Sequence, residues 1–203
     1  MSNDCLGYAG LDQPAKLIDK SLYDQISKTD YRKSLFNGPE GDKTASADTP
    51  GAARPYASRK FGYMAQWLQD YIYMRASEMV LIEAESYARL GDGAKAASVL
   101  GELMAKRDMA WKAASVTVDD VLLQRRIELW GEGHGYYDLR RNGKCIDRNY
   151  EGSNHTPANR IKVPAHDNLW WFQLPLKEIT ENDMISEDEQ NPWSKEQDND
   201  KED

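Results

Sequence analysis

The sequence predicts a mainly α protein with long irregular loops and little β-structure, and three observations carry that reading. Two stretches, about Gln69 to Leu90 and about Ala94 to Arg107, have helical apolar spacing and are separated by Gly91 and Gly93. A third, about Asp119 to Trp130, opens on Thr117 as N-cap, with Asp120 three residues on as a short-armed capping box. It closes on Gly131, Gly133 and Gly135. Against these helices stands one short run, "NLWWFQLP", of extended character.

In chain order, residues 1–36 are an irregular opening followed by "LIDKSLYDQISKTDYRKSLF", which holds short helical or extended pieces. From Asn37 to about Arg59 the composition turns to Gly, Pro, Ala, Ser and Thr, which is loop chemistry. A loop that long is either functional or mobile. On a helical wheel the first long helix is apolar all round, with Met74, Leu81 and Ala88 on one side and Tyr73, Val80, Ala84 and Tyr87 opposite. Such a helix is expected to be buried. Arg75, Glu78, Glu85 and Arg89 nevertheless share one sector beside Ile82, so each needs a counter-charge.

The second helix has small residues where two helices would approach, so the pair forms an antiparallel hairpin. Its "AESYARLGDGAKA" carries the Ala-x-x-Tyr…Gly…Ala pattern of one tetratricopeptide unit, and no repeat of fixed period accompanies it. Farther on, "PLKEITEND" is a helical turn begun by Pro175. Residues 1–193 are therefore read as one region of helical scaffold plus loops, and 194–203 as a disordered acidic tail.

Composition narrows the function classes. Apolar residues make up 40% of the 203 and charged residues 30%, with a mean hydropathy of −0.79. No apolar run reaches the roughly 18 residues a spanning helix requires. The net charge is −8, and residues 181–203 alone hold ten acids against Lys195 and Lys201. Residues 1–180 balance, so the body offers no basic surplus for nucleic acid. Cys5 and Cys145 make no metal or redox pattern, and their pairing stays open. Cys5 follows only "MSND", with no apolar leader region before it.

The richest stretch is "LLQRRIELWGEGHGYYDLRRNG", Leu122 to Gly143. Arg125, Glu128 and Glu132 share a helix face by their three- and four-residue spacing. The economical reading is an interhelical Arg/Glu network with Arg75, Glu78 and Glu85, served by the planar guanidinium. The glycines then turn the chain so that Tyr136 and Tyr137 pack back and Asp138 meets Arg140 or Arg141. Catalysis is the alternative: Glu128 and Glu132 as paired carboxylates. His134 and Asp138 have the spacing of a metal pair, but Gly135 is expected to break the helix between them. His155 and His166 lie in loops without ligand spacing. "GDGAKA" lacks the Lys-Ser/Thr ending of a phosphate loop, and no Gly-x-Ser-x-Gly frames a serine, so neither enzyme nor cofactor motif is read.

Trp170 and Trp171 adjoin, so one faces inward and the other outward; an outward tryptophan either stacks on a sugar ring or lies covered by neighbouring chain. Tyr56, Tyr63 and Trp67 beside the long loop pose the same alternative.

These stretches carry a family likeness. "YMRASEMVLIEAESYARLGD", "LLQRRIELWGEGHGYYDLRRNG" and "FQLPLKEITEND…NPW" occur in the order and spacing of the carboxy-terminal part of SusD/RagB-like outer-membrane nutrient-binding lipoproteins. "YDQISKTDYRKSLF" resembles the segment before their central loop, and Arg59 to Phe61 also fits, so the likeness runs from about Lys20 to Trp193. The resemblance implies tetratricopeptide-like helix pairs in an αα-superhelix arrangement. It implies non-enzymatic capture of a glycan or related nutrient at the bacterial cell surface, no cofactor, and a SusC-like TonB-dependent outer-membrane transporter as partner. It also makes Arg75, Glu78, Glu85, Arg125, Arg126, Glu128, Glu132, Asp138 and Arg141 scaffold positions rather than ligand contacts.

Position 135 is glycine where the family often has arginine, which leaves that corner to Tyr136 and Tyr137. Members are usually more than twice this long, so the chain is expected to be a carboxy-terminal part. Signal peptide, lipid anchor and most glycan contacts would then lie elsewhere, and no ligand-binding residue is assigned. Two other readings compete: a helical protein-interaction adaptor without carbohydrate binding, and a glycoside hydrolase.

Overall fold

The computed structural model describes residues 16–44, 53–60 and 74–192. The chain divides into two compact units, Met1–Gly135 and Tyr136–Asp203. Helix dominates and strand is scarce, in a tetratricopeptide-like arrangement.

The first unit opens with helix α1 (Lys20–Gln25), whose Asp19 side chain accepts from the Ser21 and Leu22 amides. A 3-10 turn, Tyr31–Leu35, is capped in the same way by Asp30. Helices α2 (Ala76–Arg89) and α3 (Gly93–Met104) form the hairpin. Three residues connect them, so the helices run antiparallel. The turn is dictated locally. Gly91 has φ +82°, its N–H reaches the Ala88 carbonyl, and the Asp92 N–H reaches the Tyr87 carbonyl at 3.0 Å. That double bond pattern is a Schellman stop. Asp92 then caps α3 through the Lys95 amide. Gly93 is required by a close approach, since an added Cβ would lie 2.8 Å from the Val116 carbonyl oxygen.

Helix α4 (Val118–Glu128) begins with the Thr117–Asp120 capping box. It lies between two apolar clusters. Val121, with Leu129 just beyond the helix, joins Leu81, Ala84, Ala96, Leu100 and Met104 of the hairpin. Ile127 joins Ile18, Leu22, Ile26, Phe36 and Tyr56. The second cluster gathers the base of the long loop: Asn37 N–H donates to the Ala57 carbonyl, and Arg59 N–H to that of Leu35. Residues 45–52 of that loop lie outside the described part.

Two expectations for α2 need correction. Met74 and Arg75 precede the helix, and Arg75 is extended, at φ −124° and ψ 139°; residues 69–73 lie outside the described part. Nor is the helix buried all round. Leu81 and Ala84 face the core while Met79 and Ile82 face solvent, because the helix packs along one side on α3 and α4.

The second unit is mostly irregular. Helix α5 (His134–Arg141) starts in the last two residues of the first unit and leads into it. Gly135 does not break this helix: its φ is not among the positive ones, and the first turn tolerates glycine more cheaply than a helix interior would. Strands β1 (Ile146–Asp147) and β2 (Lys162–Val163) pair antiparallel, with Ile146 opposite Val163. "NLWWFQLP" is a 3-10 turn, Asn168–Trp170, that passes into extended backbone at Trp171. Helix α6 (Leu176–Glu181) follows Pro175. Cys145 is exposed with a free thiol, and Cys5 lies outside the described residues.

Candidate functional site

The charged residues of the first unit converge on one carboxylate. Glu128, the last residue of α4, is 3% exposed. Arg107 grips it with two bonds, Nε to Oε2 at 3.0 Å and Nη2 to Oε1 at 2.9 Å. Arg32 reaches Oε2 from the 3-10 turn at 3.2 Å, and Arg75 reaches Oε1 from the residue before α2. Three separate segments are thereby tied to the end of α4.

Burial by itself would raise the Glu128 carboxyl. The Arg107 hydrogen bonds and the charges of Arg107, Arg32 and Arg75 outweigh it and hold the pKa at about 2. Arg32 is itself buried, with Nε on both oxygens of Asp30 at 3.0 and 3.1 Å and Nη2 bonded to Gln124 Oε1. Arg75 also donates to Glu132 at 2.7 Å. Lys60 shares that carboxylate and donates to the carbonyls of Glu128 at 2.7 Å and Trp130 at 2.8 Å. Burial lowers the Lys60 ammonium from the usual lysine range, opposed by Glu132.

The remaining charges named from the sequence form smaller groups. Arg125 donates to Glu78 at 3.3 Å and to His134 Nδ1 at 3.2 Å. Glu85 pairs with Arg89 within α2 at 2.7 Å, and Asp138 with Arg141 within α5 at 2.8 Å. Arg126 is exposed. Four members of the cluster were not picked out from the sequence: Asp30, Arg32, Lys60 and Arg107. A signal existed for two of them. Arg107 follows the apolar Leu103 and Met104, and Arg32 precedes the apolar Leu35 and Phe36; a charge next to core residues needs a partner.

This arrangement suits architecture better than acid–base chemistry. A glycosidase needs one carboxyl with a raised pKa across a cleft from a second. Glu128 is held low and covered by arginines. Among the described residues no group of three His, Cys, Asp or Glu side chains is placed to hold a metal ion.

The second unit offers a different surface. Trp170 is buried, with Nε1 donating to the Pro164 carbonyl at 2.7 Å. Tyr136 Oη donates to the Trp170 carbonyl, and its ring lies 5.5 Å from that of Trp170 and 5.3 Å from those of Tyr137 and Phe172. Outward from this group Tyr137 is 63%, Trp171 50% and Phe172 70% exposed. The backbone beneath is pinned: Asn191 Nδ2 donates to the Phe172 carbonyl at 2.6 Å, and Gln190 Oε1 accepts from the Leu174 amide at 2.8 Å. Of the other aromatics named from sequence, Tyr56 is buried edge-on to Tyr23, and Tyr63 and Trp67 lie outside the described residues.

The comparisons with known proteins take in parts of both units. The SusD family model matches residues 58–193, which span α2 to α6. No curated protein matches. Among solved structures, a SusD-like carbohydrate binding protein from Bacteroides vulgatus ATCC 8482 is 24% identical with a TM-score of 0.62, over 85% of this chain and 41% of that one. A SusD superfamily protein from the same organism is 25% identical with a TM-score of 0.64, over 88% of this chain and 39% of that one. The chain thus spans about two fifths of the length of the structures it resembles.

Proposed function

This chain belongs to the SusD family, and on that premise we propose that it serves the non-enzymatic capture of a glycan or related nutrient at the bacterial outer-membrane surface. The captured oligosaccharide is delivered to a SusC-like TonB-dependent transporter. The observation that carries this reading is the family match across 58–193; the solved neighbours supply the fold. In that role the Glu128 cluster is scaffold: it ties the 3-10 turn through Arg32, the start of α2 through Arg75 and the segment after α3 through Arg107 to the end of α4.

The experiment is a glycan array probed with the chain, followed by calorimetry on each hit. Saturable binding without release of reducing ends supports the reading. Hydrolysis of any bound glycan, or no binding across a broad set, removes it.

A second reading is a helical protein-interaction adaptor. It is favoured by the outer face of α2, where Met79 and Ile82, one turn apart, and Leu90 just past the helix are exposed. On that reading the chain binds no glycan on the array, and polar substitution of Met79 and Ile82 abolishes its association with a protein partner.

A further inference from the structure

We infer that Trp171 and Arg140, with Tyr137 one turn away on α5, form a stacking platform for an anionic pyranose, a uronic acid or sulfated sugar, within a bound glycan. The inference rests on the glycan-binding reading above and assigns it a place and a charge. Its first support is the pairing of Arg140 with Trp171. The guanidinium carbon lies 4.6 Å from the centre of the indole ring, which holds the planar fork against an aromatic face. A guanidinium so laid keeps its N–H groups directed outward in the plane, the geometry that receives a carboxylate or sulfate by two parallel bonds.

The second support is charge. Among the described residues no carboxylate lies within ion-pair distance of Arg140; the nearby Asp138 is engaged by Arg141 at 2.8 Å. Tyr137 and Arg140, three residues apart on α5, share a helix face.

The third support is rigidity. Exposed aromatic rings on a wandering loop would lose entropy on binding, whereas these are held from behind. Trp170 is anchored through Pro164 and Tyr136. The Trp171 amide bonds to the Asn168 carbonyl at 2.9 Å, and the Phe172 carbonyl to Asn191. A pyranose presents one apolar face of C–H groups to a ring and its polar groups to the rim, which is the division this surface offers.

The test is titration of the 203-residue chain with short oligogalacturonides, with their methyl esters, and with sulfated dextran oligosaccharides. Tryptophan fluorescence and calorimetry are the readouts. The expected result is preference for acidic over esterified sugar, weakening as salt rises. Arg140→Gln should remove that preference, a loss of about tenfold, and Trp171→Ala should weaken both forms by about tenfold. Trp171 is half exposed and Arg140 is partly buried without an ion pair to a described residue, so melting temperature should stay close to the parent value. Preference for oligogalacturonide over dextran sulfate assigns a carboxylate, and the reverse a sulfate ester. Equal affinity for acid and ester, or binding untouched by both variants, overturns the platform while leaving glycan capture standing. Self-association of the chain that Trp171→Ala abolishes, without any effect on sugars, overturns it in favour of a protein contact. Absence of binding to any glycan removes both readings.

Discussion

Up to Gly135, apolar side chains from several elements close into two clusters around a buried carboxylate; from Tyr136 onward, Val163 and Trp170 are the buried apolar side chains among those described, while Tyr137, Trp171 and Phe172 face solvent. The first unit is held by long-range apolar and ionic contacts. The second is held by side chains capping backbone groups close at hand, such as Ser153 on the Arg148 carbonyl and Arg160 on the carbonyls of Ser153 and His155. The arginines that meet at Glu128 are spent on a glutamate of their own unit. A region stabilised through its backbone leaves its rings and Arg140 available. The contrast separates scaffold from surface within one family match.

The largest expected effect tests the ionic core. Glu128→Ala removes the shared carboxylate of Arg32, Arg75 and Arg107, leaving the buried Arg32 to Asp30 and Gln124 alone, and should cost about 3 kcal/mol, a fall of roughly 10 °C in melting temperature by circular dichroism. A melt within a degree of the parent would erase the distinction between the units. Trp170→Ala is the matching perturbation of the second unit. It removes the large buried ring of Trp170 and its bond to Pro164, at a cost of about 3 kcal/mol. Amide exchange should then accelerate across 164–174 and stay unchanged in α3; a uniform change would show a single cooperative block.

Acid should act on the first unit selectively. The Glu128 carboxyl is depressed from 4.5 to about 2, so folding is favoured by its ionised form. That contribution, about 3 kcal/mol, is fully present above pH 4.5 and is lost as pH falls towards 2. Urea unfolding at stepped pH should show the loss, and Glu128→Gln should flatten it. A slope identical in the variant would put the acid sensitivity elsewhere.

Smaller effects sharpen the local picture. Gly93→Ala drives a methyl into the Val116 carbonyl and should cost about 1 to 3 kcal/mol, read as an earlier urea midpoint. Gly135→Ala has the opposite sign. Nothing lies within 4 Å of the Cβ it would add, and the helix gains about 0.5 to 1 kcal/mol. A loss of stability there would mean that α5 needs glycine for a reason the backbone does not show.

What the sequence determined by itself is local. The Thr117 capping box, the Gly91 stop and the Pro175 start depend on a few consecutive residues and stand where their spacing put them. The demand for a buried Arg/Glu network was equally legible, because charges stood among core residues. The tertiary structure alone decided the pairing. Arg32, Arg75 and Arg107 are 96, 53 and 21 residues from Glu128, and helical periodicity carries no information over such separations. It also decided that α2 is covered on one side, since a wheel records which residues are apolar but not how many neighbours arrive. Likewise, adjacent tryptophans imply one inward and one outward ring. Which one is buried was fixed by Pro164, six residues back, and Tyr136, 34 residues back, meeting Trp170.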